Sequence, residues 1–143
     1  MERSRVSSAP TSGIVVVDTD VVSFLFKGDS RGALYRPHLD GRLAIIAPQT
    51  RAELELWALG RNWGVGRIES LRVHLKNFVL DSVDEAVCLR WARVMDGAKR
   101  RGRPISTADA WIAATALAYN VPLVTHNAGD FVSIIGLTVI SEK

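Results

Sequence analysis

The stretch PISTADAWIAATALAYNVPLVTHNAGDF, Pro104 to Phe131, decides the fold. From Ala110 to Tyr119 it carries no charged residue. A helix over that segment is apolar nearly all round and is therefore expected to be buried on most sides. Asp109 stands at its entrance. Asn120 and Pro122 stop it, Leu123-Val124 reads as a short apolar strand, and Thr125 to Asp130 as a polar turn. The stretch thus places one acid before a buried helix and another after a buried strand. In a sheet covered by helices, those two ends can meet.

Upstream, the β-branched run Ile14 to Val17 ends abruptly in Asp18-Thr19-Asp20, the pattern of a strand buried on both faces that delivers acids at its carboxyl end. Val21 to Phe26 reads as a buried helix, Lys27 to Gly32 as a loop and Ala33 to Leu39 as a short helix. Leu43 to Ala47 reads as a second strand, and Pro48 opens a helix over Gln49 to Gly60. Val65 to Lys76 has apolar Ile68, Leu71 and Leu75 at helical spacing among charged neighbours. Phe78 to Leu80 reads as a third strand, Val83 to Arg101 as a long helix and Leu137 to Ile140 as a fifth strand. Strands and helices alternate without internal repeat. The expected fold is a single α/β domain over residues 13–143, with a mostly parallel central sheet of about five strands between helical layers. Met1 to Ser12 is polar and aperiodic and reads as a flexible arm.

Bulk properties agree with one globular domain. The chain has 143 residues, 48% hydrophobic and 23% charged, enough for one core and too apolar for wholesale disorder. A net charge of +3 and a pI near 9.4 are compatible with a polyanionic partner without demanding one. Cys88 is the only cysteine, which precludes an internal disulfide; helix packing is its expected role. The first residues lack the apolar core of a signal peptide, and no apolar run is long enough to span a bilayer, so the expected location is cytoplasmic.

In parallel α/β sheets ligands bind beyond the carboxyl ends of the strands, so the acids there matter most. Asp18 follows the first strand and serves equally as a helix N-cap, but Asp20 adds a second acid that capping does not require. On a helical wheel Glu53 points with Leu54, Leu56, Trp57 and Leu59, while Glu55 lies opposite, beside Arg51. An inward carboxylate needs a metal, a cation or a wet cleft. Asp109 fits a capping box with Ser106, and Asp130 and Asn127 fit a surface turn. No single residue is decisive, but Asp18, Asp109 and Asp130 fall at strand or helix ends on the same side of an alternating chain, and Glu53 sits inward on the helix after the second strand. Two carboxylates 4 Å apart repel by roughly 4 kcal/mol at an effective dielectric near 20. A divalent cation offsets this. An all-oxygen site selects Mg²⁺ or Mn²⁺, whereas His38, His74 and His126 are too scattered to suggest zinc. Such an ion suits phosphodiester hydrolysis. Lys99, Arg100, Arg101 and Arg103, just before Asp109, can hold a nucleic-acid backbone or simply complement a helix C-terminus. Of the four tryptophans, Trp63 is the one expected at a partner surface.

With these residues assembled, the chain resembles PIN-domain ribonucleases, and more narrowly the VapC-type toxins of toxin–antitoxin pairs. The resemblance runs from Ile14 to about Ile140. It rests on VVVDTDVVSFL around Asp18, APQTRAELELW around Glu53 and, most specifically, DAWIAATALAYNVPLVTHNAGDF from Asp109. It implies a PIN-like three-layer α/β/α sandwich. It implies Asp18, Glu53 and Asp109 as an acidic triad holding Mg²⁺ or Mn²⁺, with Asn127 and Asp130 competing for a fourth position. Thr125 would orient the acids, and Asp20 departs from the Asn common at its place. The implied activity is metal-dependent endonucleolytic cleavage of structured RNA, such as transfer or ribosomal RNA. The implied partners are a cognate antitoxin and a second copy in a homodimer.

Three other readings compete. VVVDTDVV and LVTHN resemble the first two motifs of haloacid-dehalogenase-like phosphatases, but only Lys143 and Glu142 remain to supply that family's later Lys and acids. A receiver domain would use Asp18 and Asp20 with Asp81 as phosphoacceptor, and it too lacks the required Lys. A noncatalytic PIN-like RNA-binding protein would keep the fold and acids for binding alone.

Overall fold

A computed structural model of the chain describes residues 13–143; the expected N-terminal arm lies outside the described residues. The elements, in order, are β1 (Ile14–Val17), α1 (Thr19–Lys27), α2 (Ser30–Leu39), β2 (Leu43–Ile46), α3 (Pro48–Gly60), α4 (Val65–Leu75), β3 (Val79–Leu80), α5 (Glu85–Arg100), α6 (Thr107–Tyr119), β4 (Leu123–Val124), a 3₁₀ turn (Ala128–Phe131) and β5 (Val139–Ile140). The sheet order is β3-β2-β1-β4-β5, and all four strand pairs are parallel.

Side-chain alternation along β1 explains the layering. Val15 and Val17 face a core built with Val21, Val22, Tyr35, Leu54 and Leu71, from the α1 to α4 side. Val16 faces the opposite core, with Val94 of α5 and Ala110, Ile112, Ala113 and Ala116 of α6. All three valines are 0% exposed, as a strand covered on both faces requires. The molecule is therefore a three-layer α/β/α sandwich. No helix among the described residues is long and apolar enough to cross a membrane.

Element boundaries shift where caps act. The expected loop Lys27 to Gly32 contracts to two residues: Gly28, at φ 69°, closes α1, and the Asp29 carboxylate at once caps α2 by accepting from the Arg31 N–H at 2.9 Å. The long helix begins at Glu85 rather than Val83, because the Asp84 side chain accepts from the Val87 N–H. Ala47 is the N-cap of α3 and not the last residue of a strand. Cys88 is exposed on α5, so it does not serve helix packing as expected. Trp63 is half-buried: it packs against Trp57 and Phe26, with the Arg67 guanidinium 4.5 Å from its ring centroid.

Candidate active site

The carboxyl ends of β1, β2 and β4 open onto a cleft of about 450 Å³ lined by five acids: Asp18, Asp20, Glu53, Asp109 and Asp130. Each arrives by a different local route. Asp18 is buried where β1 turns into α1, and its Oδ1 accepts from the Thr19 N–H at 2.8 Å. Its Oδ2 accepts from the Thr125 hydroxyl, also at 2.8 Å, and that hydroxyl in turn accepts from the Asn127 N–H. Thr125 is itself 0% exposed at the end of β4. One buried threonine thus ties the first acid to the turn after β4.

Asp20, on the first turn of α1, binds the same turn. Its Oδ2 accepts from the His126 N–H at 3.1 Å and from the Asn127 amide at 2.9 Å. Asn127 is thereby committed to Asp20, although it lines the cleft. Asp130 comes from the 3₁₀ turn and is exposed. Asp109 lies in the first turn of α6, where its N–H donates to the Ser106 N-cap hydroxyl at 3.1 Å. Glu53 faces the cleft with the other acids but is exposed rather than buried among the apolar residues of its helix, and its Oε1 accepts from the Thr19 hydroxyl at 2.6 Å. The buried face of α3 is Thr50, Leu54 and Ala58, whereas Leu56 and Leu59 are 68% and 69% exposed. Glu55, on the outer side, is paired with Arg51 and Arg72.

The electrostatics follow from burial and crowding. Removal from water, followed by the charge of Asp20, pushes the Asp18 carboxyl from its ordinary 3.8 up to about 7, against the opposing hydrogen bonds from Thr125 and Thr19. Asp20 is raised mainly by burial. Asp109 is raised by burial as well, opposed by the Ser106 hydroxyl and reinforced by Asp130, Glu53 and Asp20. Acids that perturb one another in this way share one field.

The donor set suits a hard cation, since every candidate ligand is a carboxylate oxygen. Among the described residues, no three His, Cys, Asp or Glu side chains already enclose a common point as a metal cage would. Mg²⁺ needs no such cage, because it keeps several waters and takes only one or two protein carboxylates.

The basic cluster divides. Arg103 lines an adjoining hollow of about 340 Å³ that shares Asp109 and Asp130 with the main cleft. Arg100 is tied to Asp96 at 2.7 Å, the Arg101 guanidinium lies against Gly97, and Lys99 borders an apolar hollow with Met95 and Ile105. Sequence reasoning missed Lys27, Trp57 and Arg61, which line the main cleft, whereas Arg103 lines the adjoining hollow. Helical spacing carried the signal: Trp57 and Arg61 follow Glu53 by four and eight positions, and Phe24 and Lys27 follow Asp20 by four and seven. Asp81, the acid a receiver domain would phosphorylate, is 4% exposed and accepts from the Tyr119 hydroxyl at 2.5 Å.

A family model for the PIN domain matches residues 15–134, nearly the whole described domain. The chain belongs to the PIN-domain family. This PIN domain is 29% identical over 126 residues to Ribonuclease VapC1 of Haemophilus influenzae strain R2866, covering 87% of this chain and 94% of that protein. In structure it is similar to a chain of VapBC-1 from nontypeable Haemophilus influenzae, with a TM-score of 0.78 and 28% identity, covering 90% of this chain and 97% of that one. It also shares its fold with a chain of VapBC2 from Rickettsia felis bound to promoter DNA, at a TM-score of 0.81 and 18% identity over 91% of this chain and 99% of that one.

Proposed function

We propose that this PIN domain is a VapC-type endoribonuclease that hydrolyses phosphodiester bonds of structured RNA, transfer or ribosomal RNA being the expected class. In the cell it acts in the cytoplasm as a growth-inhibiting toxin, works as a homodimer and is neutralised by a cognate antitoxin. The observation that carries the reading is the convergence of five carboxylates on one cleft, with Asp18, Asp20 and Asp109 all raised by burial and mutual repulsion. The near full-length similarity to Ribonuclease VapC1 supports it.

Asp18 and Asp109 would hold Mg²⁺ or Mn²⁺, with Glu53 and Asp130 at the edge of the same cleft. The ion supplies positive charge against the acids and Lewis-acid assistance for attack of water on the phosphate. The residues of the chain do the positioning. Thr125 orients Asp18, Thr19 orients Glu53, and Asn127 with His126 fixes Asp20. In this reading the exposed Asp130 and Glu53 would take the proton of the attacking water.

Purified protein is expected to cut structured RNA when given Mg²⁺ or Mn²⁺, and EDTA should stop it. Asp109→Asn should lower the rate by at least 100-fold while far-UV circular dichroism stays unchanged. A variant that cuts as fast as the parent overturns the assignment of Asp109.

A further inference from the structure

Part of the cleft wall is built of residues other than the acids. Trp57 and Arg61 continue the cleft-facing row that starts at Glu53, and across from them Phe24 and Lys27 continue the row that starts at Asp20. The Lys27 ammonium hangs over both rings, 5.9 Å from the Phe24 centroid and 5.8 Å from that of Trp57. The Trp57 indole is braced edge-on by Trp63, with centroids 4.7 Å apart, and by Phe26 at 6.3 Å, while it remains half-exposed to the cleft. Among the described residues Lys27, Arg61 and Arg103 have no carboxylate partner, whereas Arg31, Arg51, Arg72 and Arg100 each have one. Lys27 ends α1 and Arg61 caps α3, so both also complement a helix C-terminus. That use does not explain a rigid indole between them.

We propose that Trp57, Lys27 and Arg61 form a nucleotide subsite beside the carboxylates: an unpaired base stacks on the Trp57 indole, and the two cations hold its flanking phosphates. The proposal rests on the ribonuclease reading and deepens it by naming the residues that hold the strand beside the cut. Three observations carry it. A braced indole is a stacking platform that loses little freedom when a base arrives. Two cations beside it, neither paired with a carboxylate among the described residues, supply the phosphate contacts that stacking alone lacks. The third is the geometry of the path: the strand passes from Lys27 and Arg61, over the acids, to Arg103, because the hollow lined by Arg103 joins the cleft through Asp109 and Asp130. A base inside an A-form duplex is stacked on both faces and cannot reach the indole.

The test uses the full chain carrying Asp109→Asn, in Mg²⁺, with its RNA cleavage measured alongside. The probe is a fluorescein-labelled ten-nucleotide RNA without self-complementarity, alone and annealed to its complement, followed by anisotropy. The single strand should bind at least tenfold more tightly than the duplex. Adding Trp57→Leu should weaken single-strand binding by about five- to 100-fold, while Trp57→Phe should keep most of it. Lys27→Gln with Arg61→Gln should weaken binding and flatten its dependence on salt. Equal affinity for duplex and single strand overturns the proposal, as does a folded Trp57→Leu protein that binds like the parent. Should Trp57→Leu fail to fold, the double cation variant decides, and an unchanged salt slope overturns the subsite. Tighter, Trp57-dependent binding of a short arginine-rich peptide would assign the subsite to a protein ligand and likewise overturn it. Failure of the nuclease reading would appear separately, as a parent protein that cleaves no RNA while the binding differences persist.

Discussion

At the scale of single residues, Thr125 connects more of the site than any acid does. Its hydroxyl donates to Asp18 and accepts from Asn127, so the carboxylate on β1 and the turn after β4 are held by one oxygen. Thr125→Val keeps the shape and removes both bonds. Because Thr125 is 0% and Asp18 only 7% exposed, Asp18 Oδ2 loses a partner where little water can replace it, at a cost of about 1–3 kcal/mol. The Thr125 bond also holds the Asp18 pKa down, so its loss should raise that pKa further. Urea denaturation is expected to show the stability loss, and the pH–rate profile should move to higher pH. An unchanged profile with lowered stability would mean that Thr125 supports the fold but not the acid. None of this was legible in the sequence beyond the resemblance, which implies an orienting role for Thr125. The partners of the hydroxyl depend on the β1–β4 register, which joins residues 107 positions apart.

At the scale of elements, legibility depended on how sharply each helix divides apolar from polar. α6 has no such division to misread: Ala110 and Ile112 to Ala116 are all buried, and the charge-free run already required it. α3 was misread because a wheel counts every leucine as core. Its true inner face uses Thr50 and Ala58 around Leu54, leaving Leu56 and Leu59 in solvent, and the same rotation brings Glu53 to the cleft. Short residues mark where backbones approach closely, and a hydropathy wheel is blind to that. The alanines of α6 are a case in point, because α6 packs chiefly on α5 and on the sheet. Ala113→Leu adds three carbons at a position with 0% exposure in a filled core. Thermal denaturation should show a loss of about 1–3 kcal/mol from overpacking. If the variant is as stable as the parent, the α5–α6 interface is looser than the burial implies.

At the scale of the whole molecule, the fold brings together acids that the chain alone keeps apart, and stability is affected. Asp18 has an ordinary pKa of 3.8 when unfolded and about 7 in the folded protein. The folded state therefore binds this proton more tightly, so its contribution is fully favourable below the unfolded value and is lost as pH rises to about 7. At about 1.4 kcal/mol per pKa unit, the swing is on the order of a few kcal/mol. Asp20 and Asp109, also raised, act in the same direction. Asp29 and Glu55, lowered by arginine partners, act in the opposite sense, but they are largely solvated and count for less. Metal-free protein should therefore melt at a higher temperature near pH 5 than near pH 8. Asp18→Asn should flatten that slope, because the amide cannot ionise. Adding Mg²⁺ at pH 8 should recover most of the difference in the parent and little in the variant, because the ion binds the ionised cluster and offsets its repulsion. Scanning calorimetry across pH, with EDTA or with Mg²⁺, measures all of these. A parent whose melting temperature ignores both pH and Mg²⁺ would mean that the five acids do not act as one charged site, and the metal assignment would fall with it.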